Sequence, residues 1–167
     1  MRSSEQDFAA AAESHLDDVH AYLVYLTGDK IVAEELTAET FARALERWRR
    51  YDPRRGSPRT WLCQLARTTA LDHFRAEERR RRREGRYVLQ VREAEEPVSG
   101  EGLSPALERA LSRLSAAERE VVVLRVVLEL DGEGAARVLG ISPTACSTRL
   151  SRALQKLEKE VSAGVAA

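Results

Sequence analysis

The chain has 167 residues, 43% hydrophobic and 32% charged, and its 27 basic and 27 acidic side chains balance to a formal net charge of zero. That is room for one ordinary domain or two small ones, with too few aromatics, 5%, for a large core. No apolar run approaches the ~20 residues that span a bilayer, "MRSSEQDFAAAAESHLDD" lacks a basic-then-apolar leader, and Cys63 and Cys146 have no CxxC spacing; no membrane span, disulfide framework or zinc site is thereby suggested, and a cytoplasmic protein is expected.

The elements read as helices from end to end. Phe8, Ala12, Leu16, Val19, Leu23 and Leu26 recur at helical spacing and predict a first helix over roughly 5–26. "TGD" stops it, with Gly28 as C-terminal stop and Asp29 as cap of a second helix over roughly 30–50. Phe41, Leu45 and Trp48, at i, i+4 and i+7, read as core of that helix. Charge divides sharply along the chain: residues 1–42 hold two basic and nine acidic side chains, whereas residues 43–86 hold fifteen arginines against six acids. Such asymmetry suits a protein with separate anionic and polyanion-facing surfaces.

"DPRRGSP" (52–58) is a loop of breakers, and Ser57-Pro58 is a cap and first turn for a third helix that runs into Arg79 to Arg83. Trp48, Tyr51, Trp61, His73, Phe74 and Tyr87 interleave with Arg47, Arg49, Arg50, Arg54, Arg55, Arg59, Arg67 and Arg75. Cations that track a phosphate backbone and rings that stack on unpaired bases would explain that mixture; a solvated helix end and aromatic core packing are the plainer explanation. Residues 85–104, with Gly85, Pro97, Gly100 and Gly102 among acids, read as a linker.

A second helical unit follows. "SAAE" (115–118) is a capping box ahead of "REVVVLRVVLEL". In "GEGAARVLGISPTACSTRLSRALQKLEKE" a short helix ends at Leu139, Gly140 turns the chain and Ser142-Pro143 opens another helix, the pattern of a helix-turn-helix. Ala136, Ile141 and Leu150 are its expected internal contacts, and Thr144, Ser147, Thr148, Ser151 and Arg152 its outward face. A plain helical hairpin is the alternative. The end, "VSAGVAA", reads as a disordered tail over 161–167. Its Ala166 and Ala167 resemble a degradation signal of the kind unfoldase-proteases seize. His15, His20 and His73 are scattered and no phosphate-cradling loop or nucleophile grouping stands out, so neither an enzyme, a cofactor nor a metal is expected.

Taken together, these segments resemble a known family. "VAEELTAETFARALERWRRYDPRRGSPRTWLCQLARTTALDHFRAEERRRRR" (32–83) resembles region 2 of the extracytoplasmic-function sigma factors, and "ALSRLSAAEREVVVLRVVLELDGEGAARVLGISPTACSTRLSRALQKL" (110–157) resembles their region 4. The resemblance implies an all-α protein of two small helical domains: region 2 over 1–84, a flexible acidic linker over 85–104 and region 4 over 105–160. Its function would be to bind core RNA polymerase and direct promoter-specific initiation, with no catalysis of its own. By position, Glu35, Leu36, Glu39 and Phe41 would grip the polymerase clamp helices. Tyr51, Arg54, Arg55, Arg59, Trp61, Arg67, Thr68, His73, Arg75, Arg79 and Arg80 would hold the −10 element, with "YDPRRGSPRTWL" as the loop that captures a flipped base. Thr144, Ser147, Thr148, Arg149, Ser151 and Arg152 would meet the −35 element, and the other face of region 4 the polymerase flap. An anti-sigma factor and a tail-recognising protease are further candidate partners. The chain departs from the family at Ala38, where Gln is usual, and at Thr68, where Asn is common. In the recognition helix Pro143 to Ser147 depart as well, and Gly132 and Gly134 loosen the helix before it; these put the −35 preference in doubt. A stand-alone helix-turn-helix regulator and a sigma-like protein acting mainly through protein binding are the competing functions.

Overall fold

Short polar side chains set where the helices begin. The computed structural model describes residues 2–84 and 105–165, and among these there are helices and turns but no strand. The expected linker and Ala166 and Ala167 lie outside the described residues. Helix α1 (Arg2–Thr27) stops at Gly28, whose φ of 67° is left-handed, and Asp29 Oδ1 accepts from the Ile31 and Val32 amides at 2.8 and 3.2 Å to open α2 (Lys30–Arg47). Single 3-10 turns at Trp48–Arg50 and Pro53–Arg55 follow. Ser57 Oγ then accepts from the Thr60 amide at 3.2 Å, with Pro58 in the first turn of α3 (Pro58–Arg83). A cap of this kind contributes about 1 kcal/mol.

Each of α1, α2 and α3 packs on the other two. Val19, Tyr22 and Leu23 of α1 meet Ala33, Leu36 and Ala44 of α2 and Leu62, Cys63, Ala66 and Ala70 of α3 in a core that excludes water. The face that α2 buries also holds Thr37 and Thr40, whose hydroxyls donate to the Ala33 and Leu36 carbonyls at 2.6 and 2.7 Å and so carry no unmet polar cost. That face is centred away from the Phe41–Leu45–Trp48 line. Leu45, expected in the core, is 55% exposed, and Ala44 takes the buried position. Helix α3 outruns the core: burial stops at Ala70, and beyond Phe74 every residue to Glu84 is exposed except Glu77.

The second unit is built around its last helix. Helices α4 (Pro105–Ser112), α5 (Ala116–Val122) and α6 (Gly132–Leu139) all pack on α7 (Pro143–Val165). Ser115 and Glu118 form the expected capping box. The helix does not run on through the apolar stretch in regular form: a π-helical turn spans Val123–Val127, closed by the Leu128 amide on the Val123 carbonyl at 2.9 Å. Five β-branched valines within seven residues weaken a regular helix here. The wide turn brings Leu124, Leu128 and Leu130 into the core, leaves Val126 and Val127 exposed and sets Glu129 at a left-handed φ of 53°.

Gly140, φ 67°, ends α6, with its own amide on the Arg137 carbonyl and the Ile141 amide on the Ala136 carbonyl, the paired bonds of a Schellman turn. The tail departs from expectation. Helix α7 does not stop at Glu160 but continues through Val165, so residues 161–165 are helical rather than a loose end. The reason is α4: a Cβ at Gly164 would lie 3.6 Å from Ala106 Cβ, in ordinary packing contact.

Candidate nucleic-acid interface

The outward face of α2 is not the one that sequence position alone selects. Glu35 and Glu39 are exposed, but Leu36 is in the core and Phe41 is half-buried, so those two support the surface more than they form it. Glu39 is held by Arg43, which also donates to Asp72 of α3 at 3.0 Å. The Asp72 hydrogen bond is the main reason the Arg43 guanidinium is held above its ordinary pKa. What α2 does expose is a stripe at helical spacing: Ile31, Glu35, Ala38, Ala42 and Leu45, with Ile31 71% exposed. Of its apolar members, Ala38 stands in the segment expected to bind the clamp and Leu45 was expected in the core; Ile31 and Ala42 join them on the surface, and the i, i+4, i+7 spacing of Ala38, Ala42 and Leu45 is plain in the sequence.

The loop after α2 is rigid for a segment so rich in charge. Tyr51 stacks on Trp48 with ring centroids 4.9 Å apart, Trp61 meets both rings, and Phe8 of α1 lies edge-on to Trp48. Tyr51 also spans the loop, donating its hydroxyl to the Gly56 carbonyl at 3.0 Å, and burial is the first cause of its raised pKa. These rings pack on one another, so Tyr51 and Trp61 are walls more than free stacking platforms. Beside them opens a cavity of about 680 Å³, lined by the loop and by the first half of α1. The contribution of α1 has no signal in the sequence, because it comes from packing remote in the chain. Arg54 and Arg55 are exposed on the loop, and Arg59 lies 3.7 Å from Asp18 of α1.

Along α3 the basic residues reach solvent in order. Arg67 and His73 are half-buried, while Thr68, Arg75, Arg79 and Arg80 are exposed. The Thr68 hydroxyl donates to the Gln64 carbonyl. Carboxylates thread through the arginines: Asp72 lies 3.7 Å from Arg75, Glu77 lies 3.2 Å from Arg80 and 3.9 Å from Arg81, and Glu78 lies 2.7 Å from Arg82. Exposed pairs of this kind are worth about 0–1 kcal/mol each, so a polyanion can displace them.

In the second unit Thr144, Ser147, Thr148, Ser151 and Arg152 are exposed on one side of α7, and Arg149 is half-buried beside them. Cys146 and Ala153 anchor the opposite side, and burial pushes the Cys146 thiol pKa up. Ser142 Oγ accepts from the Ala145 amide at 3.1 Å, fixing the first turn. The geometry is that of a helix held firmly by its back and front end, with hydroxyls and the Arg152 guanidinium outward and Arg149 half-buried at their edge.

Among the described residues no group of three or more His, Cys, Asp or Glu side chains could hold a metal ion, and no helix is long and apolar enough to cross a membrane. Cys63 is buried, with its thiol pushed up to about 12 mainly by desolvation.

The family model of Sigma-70 region 2 matches residues 11–80, and that of Sigma-70 region 4 matches residues 104–157. The ECF RNA polymerase sigma factor BldN of Streptomyces coelicolor is 33% identical over 156 residues, 91% of this chain and 59% of that protein. The ECF RNA polymerase sigma factor SigM of Bacillus subtilis is 28% identical over 155 residues, 92% of this chain and 94% of that protein. In fold, the chain is similar to the sigma factor RpoE of Bartonella quintana, solved with its anti-sigma factor NepR: the TM-score is 0.74 at 23% identity, over 94% of this chain and 98% of that one.

Proposed function

Because the chain belongs to the extracytoplasmic-function sigma factors, we propose that it joins core RNA polymerase and directs promoter-specific transcription initiation. The observation that carries the proposal is the presence in one chain of both a region-2 bundle with an exposed arginine helix and a capped helix-turn-helix. A repressor needs only the second. The stripe of α2 from Ile31 to Leu45, with Glu35 within it, is a surface for an apolar helical partner with basic flanks. Core polymerase is that partner. The relative RpoE is bound by an anti-sigma factor, and an anti-sigma factor for this chain would act by covering surfaces the polymerase needs.

The division of labour follows from the side chains. Arg75 and Arg79 to Arg83 attract the duplex phosphates, while the cavity beside the Asp52–Ser57 loop accepts a base from the opened strand. The outward face of α7 enters the major groove of the −35 element, where Arg149 and Arg152 meet phosphate or base edges. Phosphodiester chemistry belongs to the polymerase, and this chain supplies the address and the strand opening.

The test is reconstitution with core enzyme. Wild-type protein is expected to co-purify with core and to support initiation from defined start sites. Ile31→Asp combined with Leu45→Asp should abolish both while leaving helicity unchanged, since both side chains lie outside the core. Undiminished co-purification by the double variant would contradict the assigned surface.

A further inference from the structure

The cavity beside the loop has two kinds of wall. On the loop side stand Trp48, Tyr51, Pro53 and Pro58, flat and largely apolar; on the α1 side stand Asp7, Ser14 and His15. Its volume of about 680 Å³ falls in the usual range for small-molecule sites. His15 Nδ1 is buried and without a hydrogen-bond partner among the described residues, and the Asp18 carboxylate, at 3.8 Å, is too far to serve as one. That nitrogen has almost no accessible surface, so the polar atoms an entering ligand can meet are those of the exposed wall residues.

Resting on the function proposed above, we infer that α1, through Asp7, reads the pairing edge of the base that enters this cavity and favours bases bearing an amino group over thymine. Contact with walls of rings and prolines is tolerant of sequence, so the loop side gives affinity and little choice. Discrimination falls to the polar wall. A carboxylate only accepts hydrogen bonds. Guanine offers it two adjacent donors on its pairing edge, and cytosine and adenine one amino group each. Thymine offers a single N–H between two carbonyl oxygens, which repel a carboxylate. Asp7 is exposed at the rim, within reach of an entering base and not needed by the core. Arg49, the cation of the cavity and also exposed, suits the phosphate of the same nucleotide.

The experiment uses holoenzyme reconstituted from core polymerase and full-length chain, transcribing a promoter library randomised through the −10 element. Wild type is expected to disfavour thymine at one position by about fivefold or more, the lower end for a specific polar contact. Asp7→Ala should flatten the preference there and nowhere else. Asp7→Asn sets a donor beside an acceptor, the complement of the thymine edge, and should raise thymine at that position. Profiles unchanged in both variants would overturn the inference while leaving the sigma function intact, and so would a loss spread evenly over all positions. Failure of the wild-type holoenzyme to select any sequence would instead overturn the function proposed above, and this inference with it.

Discussion

The two helical units present their cations in opposite ways. In the first, α3 runs past its own core and carries Arg79 to Arg83 into solvent, where Glu77 and Glu78 partly neutralise them. In the second, Arg149 and Arg152 are few and stand among hydroxyls on a helix fixed by Gly140, Ser142 and a buried back face. A dense run of flexible guanidiniums produces field strength with little geometric demand. Two guanidiniums on an immobile frame produce geometry with little field. The first arrangement fits a duty common to every promoter, and the second fits choosing among promoters.

The largest effect should come from the dense run. Replacing Arg79 to Arg83 by alanine in the holoenzyme should weaken promoter binding across many sequences and flatten the salt dependence by up to ~0.9 in log–log slope per lost phosphate contact. Filter binding or fluorescence anisotropy over a salt series measures this. An unchanged slope would return the arginines to the status of a solvated helix end. A smaller and more selective effect is expected in the second unit. Arg149→Ala or Arg152→Ala should cost about 1–3 kcal/mol where a base contact is lost, and only on promoters that depend on the −35 element.

The smallest effect concerns the frame of the second unit. Ser115→Ala removes one half of the capping box and should destabilise that unit by about 1 kcal/mol in thermal or urea unfolding. Its partner Glu118 adds a pH signature. The carboxylate accepts from Lys156 Nζ at 2.7 Å and from the Ser115 amide at 2.9 Å, and the Lys156 bond is the first cause of its lowered pKa. A lowered folded-state pKa means the stabilisation is full above the ordinary glutamate value of 4.5 and is lost as pH falls through the lower folded value. Glu118→Gln should flatten that acid limb by lowering stability at neutral pH, with the variant and the wild type converging as pH falls through the folded value.

What the sequence disclosed was what is decided within a few residues. Asp29, Ser57-Pro58, the Ser115–Glu118 box and the Gly140 turn are all short-range chemistry, and the helical fold class followed from them. Long-range packing was less legible. Leu36 and Leu45 have the same side chain, yet one is buried and the other exposed, because α2 turns its threonine-bearing face inward once those hydroxyls bond back to the helix. The π-helical turn at Val123–Val127 was hidden because an apolar run that long fits more than one face. The order of residues 161–165 depends on α4, some sixty residues earlier. Among the candidate interface residues, the outward side of α7 was read from helical periodicity, whereas the cavity could not be foreseen because half of its lining comes from α1.

Whether one chain carries two separable promoter-reading surfaces can be decided by transcribing one promoter library, randomised in both the −10 and −35 elements, with two variant holoenzymes in parallel. One carries alanines at Arg79 to Arg83, the other at Arg149 and Arg152. A broad loss of output with little change in −35 preference is expected for the first, and a relaxed −35 preference with the −10 preference intact for the second. Selectivity profiles that coincide for the two variants would contradict that separation.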